Sequence, residues 1–257
     1  MQNIHRIAVA GATGRVGKHV VDVLRERGYA VVPMSRATGV DVISGRGLAD
    51  ALRGVDAIID TATGPSAEEQ PATDFFVTAA KNLQAAGHTA GAQRLVVVSI
   101  IGSDRFSAGY GAAKVAHEQT ALAGPVPARV VRAAQFHEFV AQLMDWGRQG
   151  DTVYVQNMRT QLVAARTVAE ALADVATAKV DRLDEVAGPR EESLVECARL
   201  LAAHRAEVVR IEAVSNPSDP DNGLYMSGGL LPGAGARLAG PTFEQWLDAS
   251  VPAASAV

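Results

Sequence analysis

The sequence predicts an α/β fold: a doubly wound parallel sheet with helices on both faces, followed by a smaller α+β lobe. Three observations predict it. Short apolar runs alternate with amphipathic stretches as far as Trp146. A glycine triplet, Gly11, Gly14 and Gly17, joins the first apolar run to the first helical stripe. Beyond residue 150 the runs become shorter and less regular. This pattern gives a core over 1–150 and a smaller C-terminal lobe over 151–257, integrated with the core as one structural unit.

Ile7-Ala-Val-Ala10 is the first strand. Val16, Val20, Val21, Val23 and Leu24 then form a helical stripe that stops near Gly28, and Ala30-Val-Val32 is the second strand. Strand, glycine turn, helix and strand make the opening unit of a dinucleotide-binding fold. The glycines have separate physical tasks. Gly11 allows the tight turn out of the strand. Gly14 lets backbone approach a pyrophosphate. Gly17 lets the helix pack close to the strand. Free amides and the dipole at the helix N-terminus favour the anion.

After the second strand, Ser35 and Arg36 stand where this fold meets the adenosine ribose, and no carboxylate does. A basic residue there accommodates a 2′-phosphate, so NADP(H) is preferred over NAD(H). Val40-Asp41-Val42-Ile43 reads as a third strand, Leu48 to Leu52 as a short helical turn, and Val55 to Asp60 as a buried fourth strand. Thr61, Ala62, Thr63 and Gly64 end it, at the carboxyl edge where ligands sit. A helix over Phe75 to Ala86 and a fifth strand, Arg94 to Ser99, follow. Next come a helix over Gly109 to Leu122, a sixth strand over Pro127 to Arg132, and a helix over Phe136 to Trp146.

In the second part, Thr152 to Gln156, Gln161 to Ala164 and Glu207 to Ala213 read as strands. Thr167 to Lys179 and Ser193 to His204 read as helices, Asn216 to Gly223 as a loop, and Phe243 to Leu247 as a short amphipathic turn. The tail over 251–257 is expected to fray.

Composition bounds the partners. The 257 residues are 48% hydrophobic and 20% charged, which marks a globular chain able to bury a sizeable core. A net charge of −4 with no long basic run argues against nucleic acid as the main partner. No apolar run reaches the roughly 18 residues of a membrane span. The chain enters its first strand directly, without the pattern of a signal peptide. The single cysteine, Cys197, excludes an internal disulfide, lies in an apolar helical run and fits a reducing cytoplasm. The expectation is a cytoplasmic monomer or homodimer with a small-molecule substrate, no nucleic acid and no membrane.

The chemistry lies in Ser99, Tyr110 and Lys114. Tyr110 and Lys114 stand at i, i+4 and share a helix face. An ammonium beside a phenol stabilises the phenolate and lowers its pKa from about 10. Such a tyrosine can protonate a carbonyl oxygen while a nicotinamide delivers hydride. Ser99, at the carboxyl end of a strand, could hydrogen-bond the same oxygen. His88, His117 and His204 lack metal-ligand spacing, so no metal site is expected. Glu118 reads as a solvated helix face or a structural ion-pair partner. His137 and Glu138 read equally as cleft-lining or capping residues.

Together these residues resemble the short-chain dehydrogenase/reductase superfamily, and more narrowly its atypical, NmrA-like or NAD(P)H-binding branch. The resemblance is carried by Gly11-Ala-Thr-Gly-Arg-Val-Gly17, Gly54-Val-Asp56, Leu95-Val-Val-Val-Ser99, Tyr110-Gly-Ala-Ala-Lys114 with Glu118, and Arg132-Ala-Ala-Gln-Phe136. It extends weakly through Ala187-Gly-Pro189 and Ala239-Gly-Pro241. It implies a Rossmann-type core with a small C-terminal lobe over the substrate cleft. It implies cofactor contacts from Thr13, Gly14, Arg15 and Val16, from Arg36, from Thr61 to Gly64, and from Ser99 and Lys114. It implies that Asp41-Val42 meets adenine, and that the segment from Ala133 through Ala134 to Phe136 faces the nicotinamide. Ile100 and Ile101 follow Ser99 where sugar-nucleotide relatives often carry a second hydroxyl, which disfavours a sugar-nucleotide epimerase.

The functional expectation is an NADP-dependent oxidoreductase of a small, mostly apolar carbonyl, enone or quinone, with Tyr110 as general acid. Two alternatives stand beside it. One is an NADP-binding regulatory protein without turnover. The other is a cofactor-bound isomerase, cyclase or coupling enzyme of secondary metabolism.

Overall fold

The computed structural model describes residues 4–250; the tail expected to fray lies outside them. The strands and helices run β1 (Arg6–Ala10), α1 (Gly17–Glu26), β2 (Ala30–Met34), α2 (Leu48–Ala51), β3 (Ala57–Asp60), α3 (Glu69–Ala90), β4 (Arg94–Ile100), α4 (Gly109–Leu122) and β5 (Ala128–Ala133). They continue as α5 (Phe139–Trp146), β6 (Arg148–Gln149), β7 (Thr152–Gln156), β8 (Arg159–Thr160), α6 (Ala165–Ala176), β9 (Glu185–Ala187), β10 (Glu192–Ser193), α7 (Leu194–His204), β11 (Arg210–Val214), α8 (Asn222–Ser227), β12 (Arg237–Leu238) and α9 (Phe243–Ser250). None of the described helices is long and apolar enough to cross a membrane.

The chain divides into two compact units. One runs up to Arg132 and takes in Val168–Asp184; the other holds Ala133–Thr167 and the chain from Glu185. A single cut at residue 150 therefore does not describe the division, because the chain returns to the first unit after leaving it.

The first unit is built on the strand order β5-β4-β3-β1-β2. β1 pairs in parallel with both β2 and β3, and β3 in parallel with β4. All of β3 and all but the first residue of β1 are buried, as expected for strands with neighbours on both sides. Ile58, Leu83, Leu95, Leu52 and Met34 anchor a core beneath α3. α1 ends as its glycine predicts: Gly28 takes φ +81, and the amide of Tyr29 returns to the carbonyl of Leu24.

Two expectations fail here, each for a local reason. Val40 to Ile43 is not a strand. Asp41 accepts from the Ile43 amide at 3.0 Å and from Ser44 Oγ at 2.8 Å, and its carbonyl accepts from the Gly45 amide. The carboxylate thus folds the segment onto itself as an Asx turn. α3, in turn, begins six residues earlier than Phe75, because Pro71 falls in the first turn, where its missing N–H has no helical acceptor.

The second unit is organised around α7, which packs against α5, α9, β7 and β11. It buries Leu194, Val195, Cys197, Ala198 and Leu201. β7 pairs in parallel with β11 and antiparallel with β6; β9 pairs in parallel with β12, and β8 antiparallel with β10. Gln161 to Ala164 is not a strand: only Val163 bridges, to Phe136. The loop expected over Asn216 to Gly223 gives way at its end to a short helix, Asn222–Ser227. Burial pushes the Cys197 thiol far up, which leaves it unreactive.

Candidate functional site

The glycine turn is shaped by what its residues lack. Gly11 takes φ +74, and a Cβ there would lie 2.7 Å from the carbonyl oxygen of Thr61. A Cβ on Gly17 would lie 2.1 Å from the carbonyl oxygen of Gly11 and 2.7 Å from Thr61 Oγ1. One at Gly14 meets only the Gly11 carbonyl, at 3.1 Å, and the Gly14 amide donates to that carbonyl. The turn is thus pressed against the start of the loop after β3. Thr13 and Arg15 are exposed, Val16 is buried, and no side chain caps the N-terminus of α1. A helix N-terminus without a side-chain cap suits an anion.

The loop from Thr61 to Gly64 connects this turn to the chemical residues. Thr61 Oγ1 donates to the Ala10 carbonyl at 2.7 Å, and Asp60 Oδ1 accepts from the Ala62 amide at 2.9 Å. Thr63 Oγ1 lies 3.1 Å from the hydroxyl of Tyr110. Phe75 packs over Gly64, where a Cβ would come within 2.9 Å of the ring.

On α4 the geometry departs from expectation. Lys114 is buried, and its Nζ donates to the Val98 carbonyl at 2.8 Å and sits 2.9 Å from His117 Nδ1. It does not bond the Tyr110 phenol. Burial pushes that phenol above its ordinary value of 10, against the opposing hydrogen bond with Thr63. Tyr110 is therefore a firmly protonated phenol, not one primed as phenolate. Burial also brings Lys114 down to about 8, with Asp60 and Glu118 opposing the shift.

His117 and Asp60 are the residues that sequence reasoning missed. His117 Nε2 is 3.0 Å from Asp60 Oδ2, and both side chains are buried. Burial and the neighbouring Lys114 push the imidazole down, so it is neutral. Phe76 ties the group together: its ring stacks on His117 at 4.8 Å, meets Tyr110 edge-on at 5.6 Å and lies 4.3 Å from Lys114 Nζ. A signal existed in the spacing, since His117 stands three residues after Lys114 and seven after Tyr110, on one helix face. Asp60 carried none beyond its place at a strand end.

Glu118 is a buried ion-pair partner, the second of the two roles read for it. Arg132 donates Nε to its Oε1 at 3.0 Å and Nη2 to its Oε2 at 2.8 Å, and Ser103 Oγ adds a bond of 3.0 Å. Burial opposes ionisation there, but Arg132, the nearby Ser99 hydroxyl and Ser103 outweigh it and hold the carboxyl below its ordinary value. Ser99 is buried beside this pair, and its Oγ makes no hydrogen bond of good geometry.

The remaining candidates make contacts of their own. Ser35 Oγ accepts from the Thr38 amide at 3.3 Å and caps a short turn, while the Arg36 side chain is exposed on that turn. The Asp41 carboxylate is occupied by its own turn, and Val42 is half-buried with its carbonyl on Asn82 Nδ2. Ala134 and Phe136 belong to the second unit; there the Ala134 amide donates to Val186, and His137 is buried with its Nε2 on the Pro241 carbonyl. Glu138 caps α6 by accepting from the Ala165 amide.

Comparisons with known proteins bear on the family and the fold. The model of a family described as NAD(P)H-binding matches residues 11–185, which is most of the chain. The chain belongs to that NAD(P)H-binding family. No curated protein matches it in sequence. Among solved structures it is similar to MoeE5 in complex with UDP-glucuronic acid and NAD, at 20% identity and TM-score 0.71, covering 95% of this chain and 96% of that one. It is similar to a short-chain dehydrogenase/reductase from Agrobacterium tumefaciens with bound NAD, at 18% identity and TM-score 0.66, covering 96% of each. It is also similar to dTDP-4-dehydrorhamnose reductase from Bacillus anthracis in complex with NADP, at 19% identity and TM-score 0.67, covering 82% and 85%. These likenesses establish the Rossmann-type fold.

Proposed function

We propose that the protein is an NADP-dependent oxidoreductase that reduces a small, mostly apolar carbonyl, enone or quinone. One observation carries the reading: a single loop joins both motifs. Thr61 and Ala62 press on Gly11 and Gly17, and two residues later Thr63 meets the hydroxyl of Tyr110. A dinucleotide fits the first half of this arrangement, because the glycine cradle has room only where a Cβ is missing and the amides of α1 lack a side-chain cap. Bound there, the reduced nicotinamide supplies the hydride.

The chain's own residues supply the rest. Tyr110 carries the proton that a donor in carbonyl reduction must hold, though burial makes it a weaker acid than a free phenol. Lys114 supplies a cation to hold the nicotinamide ribose, and Ser99 a hydroxyl with a hydrogen bond to spare for the substrate oxygen. Phe75 and Phe76 around Gly64 and Tyr110 support an apolar substrate. Arg36, exposed after β2 with no acidic neighbour in its turn, supports the 2′-phosphate preference.

A second reading has one observation in its favour. Lys114 is bound to Val98 and His117 within the protein, as suits a nucleotide-binding regulator that turns nothing over. Tyr110→Phe separates the two. In the enzyme it lowers turnover by about 10²-fold or more, read as loss of NADPH absorbance on a carbonyl and quinone panel, and leaves NADPH binding intact. Wild type that binds NADPH but oxidises it with no member of that panel favours the regulator. Arg36→Ala weakens NADPH about tenfold and leaves NADH unchanged, as fluorescence titration would read. Equal binding of both nucleotides by wild type sinks the NADP assignment.

A further inference from the structure

We propose that Asp60 and His117 are positioning residues that present Lys114 to the dinucleotide, through a buried hydrogen-bonded row from the end of β3 to α4. The inference rests on the reading of Lys114 as a holder of the nicotinamide ribose, and it assigns roles to two residues outside the Ser99, Tyr110 and Lys114 set.

The row has one consistent direction. The Asp60 carboxylate is an acceptor only, so His117 Nε2 must carry a proton and donate to it across 3.0 Å. A neutral imidazole protonated at Nε2 offers Nδ1 as an acceptor. Lys114, 2.9 Å away, must then donate into Nδ1, and it donates a second N–H to the Val98 carbonyl. Two of three ammonium protons are thereby fixed by the protein, and the third is left for a ligand. Asp60 dictates the tautomer of His117, and the tautomer dictates that Lys114 is a donor.

Position is fixed as firmly as protonation. His117 stacks nearly flat on Phe76, with 17° between the planes, so the imidazole cannot turn away from the row. The other oxygen of Asp60 is tied to the Ala62 amide, in the loop that touches the glycine turn and Tyr110. The row therefore connects the wall of the nucleotide site to the lysine. The charged and titratable groups around Lys114 are Tyr110, His117 and Glu118 on its own helix and Asp60 on β3; β4 contributes the Val98 carbonyl and α3 the Phe76 ring. With Lys114 brought down to about 8, its charge is balanced within working pH.

Asp60→Asn tests this with little change of shape. The asparagine oxygen can keep the Ala62 amide, which turns its NH₂ toward His117. Nε2 then becomes the acceptor, the proton moves to Nδ1, and Lys114 can face it only as a neutral amine. Two readouts are followed on the full chain: the titration of Lys114 by isotope-edited NMR of lysine side chains, and NADPH affinity against pH by fluorescence. In wild type, NADPH affinity falls as pH rises through the Lys114 midpoint near 8. In Asp60→Asn the midpoint drops by about one unit, the affinity profile moves with it, and affinity at pH 7 falls about tenfold.

His117→Gln, which keeps a donor to Asp60 but removes the ring acceptor, should also weaken NADPH about tenfold. It carries the test if the Asp60 variant does not fold. Lys114→Met separates the two ideas. If it leaves NADPH affinity unchanged, the lysine does not hold the nucleotide, and both that reading and this inference fall. If it weakens NADPH while Asp60→Asn and His117→Gln keep the wild-type affinity profile, the lysine reading stands and the positioning role is overturned.

Discussion

The glycine turn and the buried face of α4 belong to the same unit but are specified in opposite ways. The turn is made by missing atoms: each glycine answers to backbone at Thr61, Ala62 or Gly11. The α4 face is made by polar groups that are satisfied only together, Asp60 with His117, His117 with Lys114, and Glu118 with Arg132 and Ser103. In the first region one residue fails alone, through overlap. In the second, removing one partner leaves another buried group unpaired, and the loss spreads. Steric fit therefore governs one half of the candidate site, and polar satisfaction the other.

The largest effect is expected from Gly17→Ala. Its methyl would lie 2.1 Å from the Gly11 carbonyl, which is backbone on a tight turn and cannot swing aside. α1 must shift from β1, at a cost of about 3 kcal/mol, with nucleotide binding lost as well. Gly14→Ala, whose methyl meets the same carbonyl at 3.1 Å, should cost about 1 kcal/mol. Denaturant melts of both variants check this. Equal stability of the two would break the claim that overlap governs the turn.

Glu118→Gln tests the other half. The variant keeps the shape but takes the carboxylate from Arg132, which is about a quarter exposed and partly screened by water. A loss of about 2 kcal/mol is expected, below the full value of a buried pair. The pH dependence has a definite sign. Glu118 is held below its ordinary 4.5 in the folded protein. Its contribution is complete above that value and disappears as pH falls through the lower folded value. The stability difference between wild type and Glu118→Gln should therefore shrink in acid. A difference independent of pH would mean that the ion pair contributes nothing as a charge.

This contrast also explains how much of the molecule was legible in the sequence. The glycine turn, the strands around it and the helix over Gly109 to Leu122 follow from local spacing, and the structure reproduces them. Asp60, His117 and Phe76 meet only because β3, α3 and α4 come together, so no local pattern announces them. The same gap explains the reversed shift on Tyr110. Spacing put a lysine one turn away, but burial and the competing partners Val98 and His117 decide where its charge goes. The Asp41 segment fails differently: its apolar neighbours suggest a strand, while the aspartate itself closes a turn.

The smallest predicted effect concerns the residues after β2, where fit and polar satisfaction can be separated in adjacent positions. Ser35 accepts from the Thr38 amide and its own amide donates to Thr38 Oγ1, so its side chain serves the turn. Ser35→Ala should cost about 0.5–1 kcal/mol, the value of a capping hydroxyl, because the second bond uses backbone and survives. The Arg36 guanidinium stays in place in this variant, so discrimination between NADPH and NADH should persist, with both nucleotides weakened alike if the turn loosens. Side-by-side titrations check it. Loss of discrimination in Ser35→Ala would mean that the hydroxyl itself reads the 2′-phosphate, and that the turn bond is secondary to a ligand bond. Retained discrimination confines the reading to Arg36, with the serine as the residue that holds the arginine's turn in shape.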